Sequence, residues 1–304
     1  MNEASHKNYT VGFIITFIGS ILFSTKAIFV KLAFANTDVD AITLLALRMA
    51  FAVPFYIIVA AFYSSKPGNV KFTLLQWVKI IFLGFIGYYL SSLFDFIGLQ
   101  YVSAGLERLI LFLYPTFAIL LNAAIYEKKI NRIQRIALLL TYLGIGIAYF
   151  SEMKLDSSDP NFYLGTFFIF LCAVTFAIYL VGSGRLIPMV GATKFTAYTM
   201  TAAAVGVITH YFVAGSAVHH FTNPILGYGL MIAVIATVIP TFFISNGLKK
   251  IGSNNVAIIS SVGPVSTILQ AHFILGEKLL FAQIAGTALV ISGVLLTGWR
   301  NRDI

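Results

Sequence analysis

Long apolar runs, separated by short polar stretches, set the pattern of the chain. Apolar and polar positions do not alternate within them, which argues for helices over membrane strands. A spanning helix needs about 20 apolar residues, whereas a membrane strand shows roughly 10 alternating ones. Spans are expected at 10–35, 40–64, 74–97, 102–126, 131–150, 162–184, 194–214, 225–247, 254–275 and 279–298. The intervening loops are too short for a soluble domain. The first run is too long for a cleaved signal and lacks a small-residue cleavage site after it.

The pattern repeats. A shift of 149 residues lays Gly98-Leu99 on Gly247-Leu248, Pro115 on Pro264, Lys129 on Lys278, Gln134 on Gln283 and Gly144 on Gly293. Eleven identities fall in the 47 positions from Gly98 to Gly144. The halves, 1–150 and 151–304, then hold five spans each. An odd number turns the second half upside down relative to the first, the arrangement of secondary transporters built from inverted repeats. Pro115 and Pro264 are expected near the bilayer centre. There a mid-helix proline frees a carbonyl for a side chain, water or solute, or simply kinks the helix.

Composition agrees with this reading. The chain has 304 residues, of which 59% are hydrophobic and 10% charged, and its mean hydropathy is +0.91. A soluble domain carries about 25% charged residues. The single cysteine, Cys172, excludes an intrachain disulfide. The net charge of +9 follows from topology. With a cytoplasmic N-terminus, fourteen basic residues lie inside and only Lys154 and Lys278 outside, as the positive-inside rule requires. Trp77 and Trp299 then lie at the inner interface. The basic residues are scattered over several loops, so no nucleic-acid partner is expected.

The second half contains "NNVAIISSVGPVSTILQAHFILGEKLLFAQIAGTALVISGVLL". Its proline, the Gly276-Glu277-Lys278 turn, Gln283 and a Gly-rich closing helix resemble the EamA-type permeases of the drug/metabolite transporter superfamily. Leu47-Arg48 and "GLQYVSAGLERL" from Gly98 resemble the first half of that family. The first half departs at Tyr126-Glu127, with one residue fewer between proline and glutamate. The resemblance implies an all-α integral membrane protein with ten helices in two inverted EamA-like repeats, and both termini cytoplasmic. It implies export or exchange of small metabolites without ATP. The expected location is a bacterial inner (plasma) membrane.

Charge inside the spans is the candidate chemistry. Lys26, Lys31, Arg48, Asp95, Glu107 and Arg108 are all in the first half. Opposite Asp95, Glu107 and Arg108 the repeat places Ile244, Val256 and Ala257. At about 1.5 Å per residue, all six fall in the outer half of the membrane. A charge at the bilayer centre costs about 2.5–3.5 kcal/mol on insertion scales. Six lipid-facing charges would cost about 10–20 kcal/mol, as much as a domain's stability. They must therefore face the bundle interior, pair, or meet water; Lys31 is near enough to the edge to snorkel. One acid–base pair is expected to bridge helices. Three roles fit: a permanent gate, a site for an anionic or zwitterionic solute, or a proton relay through Asp95 or Glu107.

Further lining candidates are less charged. Tyr88, Ser91, Ser92 and Asp95 share one helical stripe, and Glu107 and Tyr114 another. Asn246 stands near the inner end of the eighth span, and Ser260 and Ser261 one turn before Pro264. Most tyrosines and phenylalanines pack rather than bind. His210 and His272 are isolated, so no metal or cofactor is expected. No GxSxG, HExxH or P-loop motif supports an enzyme, and no repeated filter residues support a channel. The expected function is secondary active transport of a small solute, with a proton as a candidate coupling ion. A membrane-embedded enzyme or a non-transporting sensor is the alternative.

Overall fold

The computed structural model describes residues 3–66, 69–127, 132–156, 160–214, 221–260 and 262–299. The described residues form helices and connecting turns. In chain order these are α1 (Glu3–Asn36), α2 (Ala41–Ser64), α3 (Leu74–Gly84), α4 (Ser91–Gly98), α5 (Ala104–Leu111), α6 (Tyr114–Tyr126) and α7 (Arg132–Asp156). Then come α8 (Phe162–Val190), α9 (Ala192–Ala214), α10 (Asn223–Ala233), α11 (Ile239–Ser260), α12 (Val262–Leu275) and α13 (Phe281–Trp299). Helix starts carry their own signals. Asp40 accepts from the Thr43 N–H at 2.8 Å, Thr73 and Gln76 form a capping box, and Ser103 accepts from the Leu106 N–H at 3.0 Å. Each satisfies an N–H that a first turn leaves unbonded.

Among the described residues eight helical segments are long and apolar enough to cross a membrane, and two shorter apolar ones, Val262–Leu275 and Phe281–Gly293, fall where the ninth and tenth spans were expected. Large apolar side chains cover the outer surface, among them Leu74, Phe212, Phe273 and Phe281, each more than three-quarters exposed. A patchwork of this size belongs against hydrocarbon. Inside, α7 packs on α13, α2 on α9, α1 on α11 and α12, α8 on α4 and α6, α3 on α9, and α10 on α2. Glycine sets the closest of these approaches. A Cβ on Gly144 would come within 2.5 Å of the Gly286 carbonyl oxygen, and one on Gly293 within 2.7 Å of the Ala137 carbonyl oxygen.

Two π-helical turns interrupt the bundle, Phe85–Leu90 between α3 and α4 and Val234–Val238 between α10 and α11. The shift of 149 places the first residue of one on the first residue of the other (85 onto 234). A π turn widens the helix by one residue and redirects the helix that continues from it.

Two expectations are corrected. Pro115 is not mid-helix. A turn at Phe112-Leu113 separates α5 from α6, and Pro115 sits in the first turn of α6. First-turn N–H groups have no intrahelical acceptor, so Pro115 frees no carbonyl. Pro264 lies in α12, and Ser261, between α11 and α12, lies outside the described residues. The second correction concerns the loop expected between 247 and 254. Helix α11 runs through it without a break. That stretch contains no proline, and Gly247 lies so close to Thr16 of α1 that a Cβ would collide with its hydroxyl. Ser261 and the basic residues Lys128, Lys129, Arg300 and Arg302 lie outside the described residues.

Candidate functional site

Four helices of the first half bring five ionisable side chains into the interior. Lys26 comes from α1, Arg48 from α2, Asp95 from α4, and Glu107 and Arg108 from α5. All five are buried, and Asp95 and Glu107 have no exposed surface. The bridging pair is Lys26–Asp95, with Nζ 2.7 Å from Oδ2. The same ammonium stands 4.0 Å from Glu107 Oε1. One cation therefore faces two acids.

The arginines are held differently. Arg48 donates from Nε to Thr237 Oγ1 at 2.9 Å and from Nη1 to Ser92 Oγ at 3.0 Å. The Thr237 hydroxyl itself donates to the Ile232 carbonyl, five residues back, at 2.8 Å. The π turn makes that reach possible and leaves an oxygen lone pair for Arg48. The Phe96 ring lies 5.6 Å from the guanidinium, within cation–π range. Arg108 donates from Nη2 to Ser24 Oγ at 3.4 Å and lies between the rings of Phe23 and Phe112, at 5.7 and 5.9 Å. A Cβ on Gly263 would come within 2.7 Å of Arg108 Nη2, so this glycine makes room for the guanidinium. Among the described residues neither arginine has a carboxylate within ion-pair distance.

The remaining candidates divide. Tyr88 packs edge-on to Tyr179 at 4.8 Å, and Tyr114 to Phe176 at 5.1 Å. Both are half-buried. Pro264 is buried next to the Arg108 notch, and Pro115 is half-buried at the start of α6. Asn246 is exposed, and its amide donates to the Phe242 carbonyl of its own helix at 2.9 Å. It does not join the cluster. Lys31 donates to the Val102 carbonyl at 3.0 Å, just before α5.

Sequence reasoning missed Ser24, Thr237 and Gly263 as partners of the arginines. It also missed the role of Glu277. Its carboxylate accepts the Ala104 N–H at 2.9 Å and the Gly105 N–H at 3.3 Å. A residue of the second half thus caps the helix that carries Glu107 and Arg108. The small residue before a repeated proline was a usable signal for Gly263; a lone hydroxyl in an apolar run was not one for Thr237.

An apolar-coated helical bundle with charged side chains in its interior fits an integral membrane protein. The chain belongs to the EamA-like transporter family, which matches residues 10–150 and 163–299. It is 33% identical over 309 residues to the uncharacterized transporter YcbK of Bacillus subtilis (strain 168), covering 99% of this chain and 96% of that one. An uncharacterized transporter of Archaeoglobus fulgidus is 21% identical over 285 residues, covering 93% and 94%. A solved crystal structure shares the fold, with a TM-score of 0.65 at 17% identity over 97% of this chain and 99% of that one.

Proposed function

We propose that this transporter is a secondary active exporter or exchanger of a small anionic or zwitterionic metabolite, working by alternating access. In this reading residues 1–150 and 151–304 are two five-span units of opposite orientation, in a bacterial plasma membrane with both termini cytoplasmic. Several observations support the pseudo-twofold relation. The α3–α9 contact has its exchanged counterpart in α10–α2, and α4–α8 in α11–α1. The π turns share one register. Gly144 meets position 286, and Gly293 meets position 137, each one repeat away from the other contact.

The observation that carries the functional reading is the pair of buried arginines that, among the described residues, meet hydroxyls and ring faces and no carboxylate at ion-pair distance. A buried cation without a counter-anion is costly. An anionic group on the solute supplies what the protein withholds. The Lys26–Asp95 pair and Glu107 complete the pathway wall, and the Glu277 cap on α5 closes the outer end. Pro115, Pro264, Tyr88 and Tyr114 line the approach, where the two units rock against each other.

The test is counterflow in proteoliposomes, screening organic acids and amino acids. Saturable exchange of at least one solute is expected. Arg48→Ala should weaken that solute's binding by about 30-fold or more, the usual consequence of removing a buried charged hydrogen-bonding partner. Unsaturable flux, or exchange indifferent to Arg48→Ala, contradicts the reading.

A further inference from the structure

We infer that the solute carries a carboxylate, and that Arg108 grips its two oxygens side by side along the edge formed by Nε and Nη2. The inference rests on the transport reading above and names the charged group of the solute and its seat.

The two buried arginines are not equivalent. Arg48 donates its Nε–H to Thr237 at 2.9 Å and an Nη1–H to Ser92 at 3.0 Å. Both bonds have ordinary length. With Nε taken, Arg48 has no complete side-on pair of donors to offer. On Arg108 the Nε–H is buried with no hydrogen-bond partner. Its neighbour on the same edge, Nη2, reaches Ser24 Oγ at a long 3.4 Å. A buried donor left unbonded is costly, and more so on a charged group. The rings of Phe23 and Phe112 lie 5.7 and 5.9 Å from the guanidinium carbon. They stabilise the cation through their faces and supply no acceptor in its plane. The edge lacks two oxygens, and a carboxylate has them at the matching spacing.

The surroundings leave room at this edge. A Cβ on Gly263 would come within 2.7 Å of Arg108 Nη2 and 3.2 Å of Ser24 Oγ, so any side chain there would crowd it. The Ser24 hydroxyl lies within bonding distance of the carbonyls of Ser20, at 2.8 Å, and Gly263, at 3.1 Å. A turn of its proton makes it a third donor to the anion. One helical turn back along α1, the Ser20 and Ser260 hydroxyls bond at 3.0 Å.

The equivalent place in the other half is filled. One repeat away, Ile169 and Ala173 stand for Ser20 and Ser24, Leu111 for Ser260, Tyr114 for Gly263 and Ala257 for Arg108. Ile169 and Ala173 have no exposed surface. The Tyr114 ring packs against Phe112 and Phe176 at 5.5 and 5.1 Å. The fold accepts an apolar filling there. The guanidinium, the hydroxyls and the missing side chain form a set that packing does not require.

This set selects carboxylate over phosphate. Guanidinium and carboxylate are planar two-point partners. A phosphate monoester brings a third oxygen and about two negative charges. The other buried cations are engaged, Lys26 on Asp95 at 2.7 Å and Arg48 on its two hydroxyls. Arg108 lies on α5, Gly263 on α12 and Ser24 on α1, and these three helices pack on one another. Their relative movement is what opens the edge to the pathway.

Nitrogen-15 labelling of the arginines of the full-length protein in lipid nanodiscs tests this without an assigned solute. The Nε–H signals of Arg108 and Arg48 are identified by their loss in Arg108→Lys and Arg48→Lys. The probes are 2-oxo acids, hydroxy acids, dicarboxylates and the common amino acids, each paired with its carboxamide, and glycerol phosphate. At least one acid should move the Arg108 signal saturably, and its amide should not. Arg108→Lys keeps the charge and loses the edge, so it should weaken that acid's binding about tenfold or more. Ser24→Ala should weaken it about threefold to tenfold. Thermal unfolding shows that each variant is folded. A response at Arg48 with none at Arg108, an amide that binds as well as its acid, a preference for glycerol phosphate, or no response to any acid overturns the proposal. Saturable counterflow in proteoliposomes of a solute without a carboxylate, indifferent to Arg108→Lys, also overturns it and leaves the transport reading standing. Absence of counterflow for every solute counts instead against the transport reading, and the Arg108 signal still decides the site.

Discussion

The two halves share a backbone plan and differ in what fills it. In the first half Asp95, Glu107 and Arg108 converge with Lys26 and Arg48 on a buried ionic cluster. In the second half Ile244, at the position of Asp95, packs against Val256, at the position of Glu107, and against Ile251 and Ile259 in a small apolar cluster. Ala197 stands at the position of Arg48 and is fully buried. One scaffold thus holds either charge or hydrocarbon at equivalent places. The repeat needs burial at these positions, and it does not need charge. The charges therefore answer to something besides packing.

The sharpest way to break the comparison is to remove one member of the ion pair. Asp95→Ile leaves Lys26 buried without its acid and should cost about 3–5 kcal/mol, read as a lowered thermal midpoint in detergent. Ile244→Leu, the matching position of the other half, should cost less than about 1.5 kcal/mol. Next in size is Gly263→Val. The new side chain occupies the place of the Arg108 guanidinium, and overpacking of this kind costs about 1–3 kcal/mol. It should also abolish solute-dependent stabilisation by displacing Arg108. The smallest effect is expected for Glu277→Gln. The amide oxygen still accepts one N–H from α5, but the second acceptor and the charge at the helix start are lost, about 1–2 kcal/mol. A loss several times larger would show that the cap carries more of the closure between the halves.

Much of this contrast was legible in the sequence because hydrocarbon penalises charge so heavily. Lys26, Arg48, Asp95, Glu107 and Arg108 had to turn inward, and the apolar counterparts showed that the repeat did not demand them. The helices were legible because a backbone in lipid has few ways to bond itself. What escaped was local. Whether a helix breaks before or after a proline depends on the preceding turn, so the apolar run suggests an interior place for Pro115 although it opens α6. The unbroken α11 depends on its close packing against α1, which no periodicity in either segment reveals. Thr237 became an arginine ligand through a π turn, whereas Asn246, the more conspicuous polar residue, bonds to its own helix.

The central claim is that the first-half charges serve the solute, while the repeat alone supplies the fold. Replacing all five by their second-half counterparts tests it most directly: Lys26→Thr, Arg48→Ala, Asp95→Ile, Glu107→Val and Arg108→Ala in one chain. The measurement is the thermal midpoint of this variant with and without the solute found by counterflow. The account predicts a folded protein, more stable than Asp95→Ile alone because no buried charge is orphaned, and blind to the solute. An unfolded variant, or one that the solute still stabilises, would contradict it.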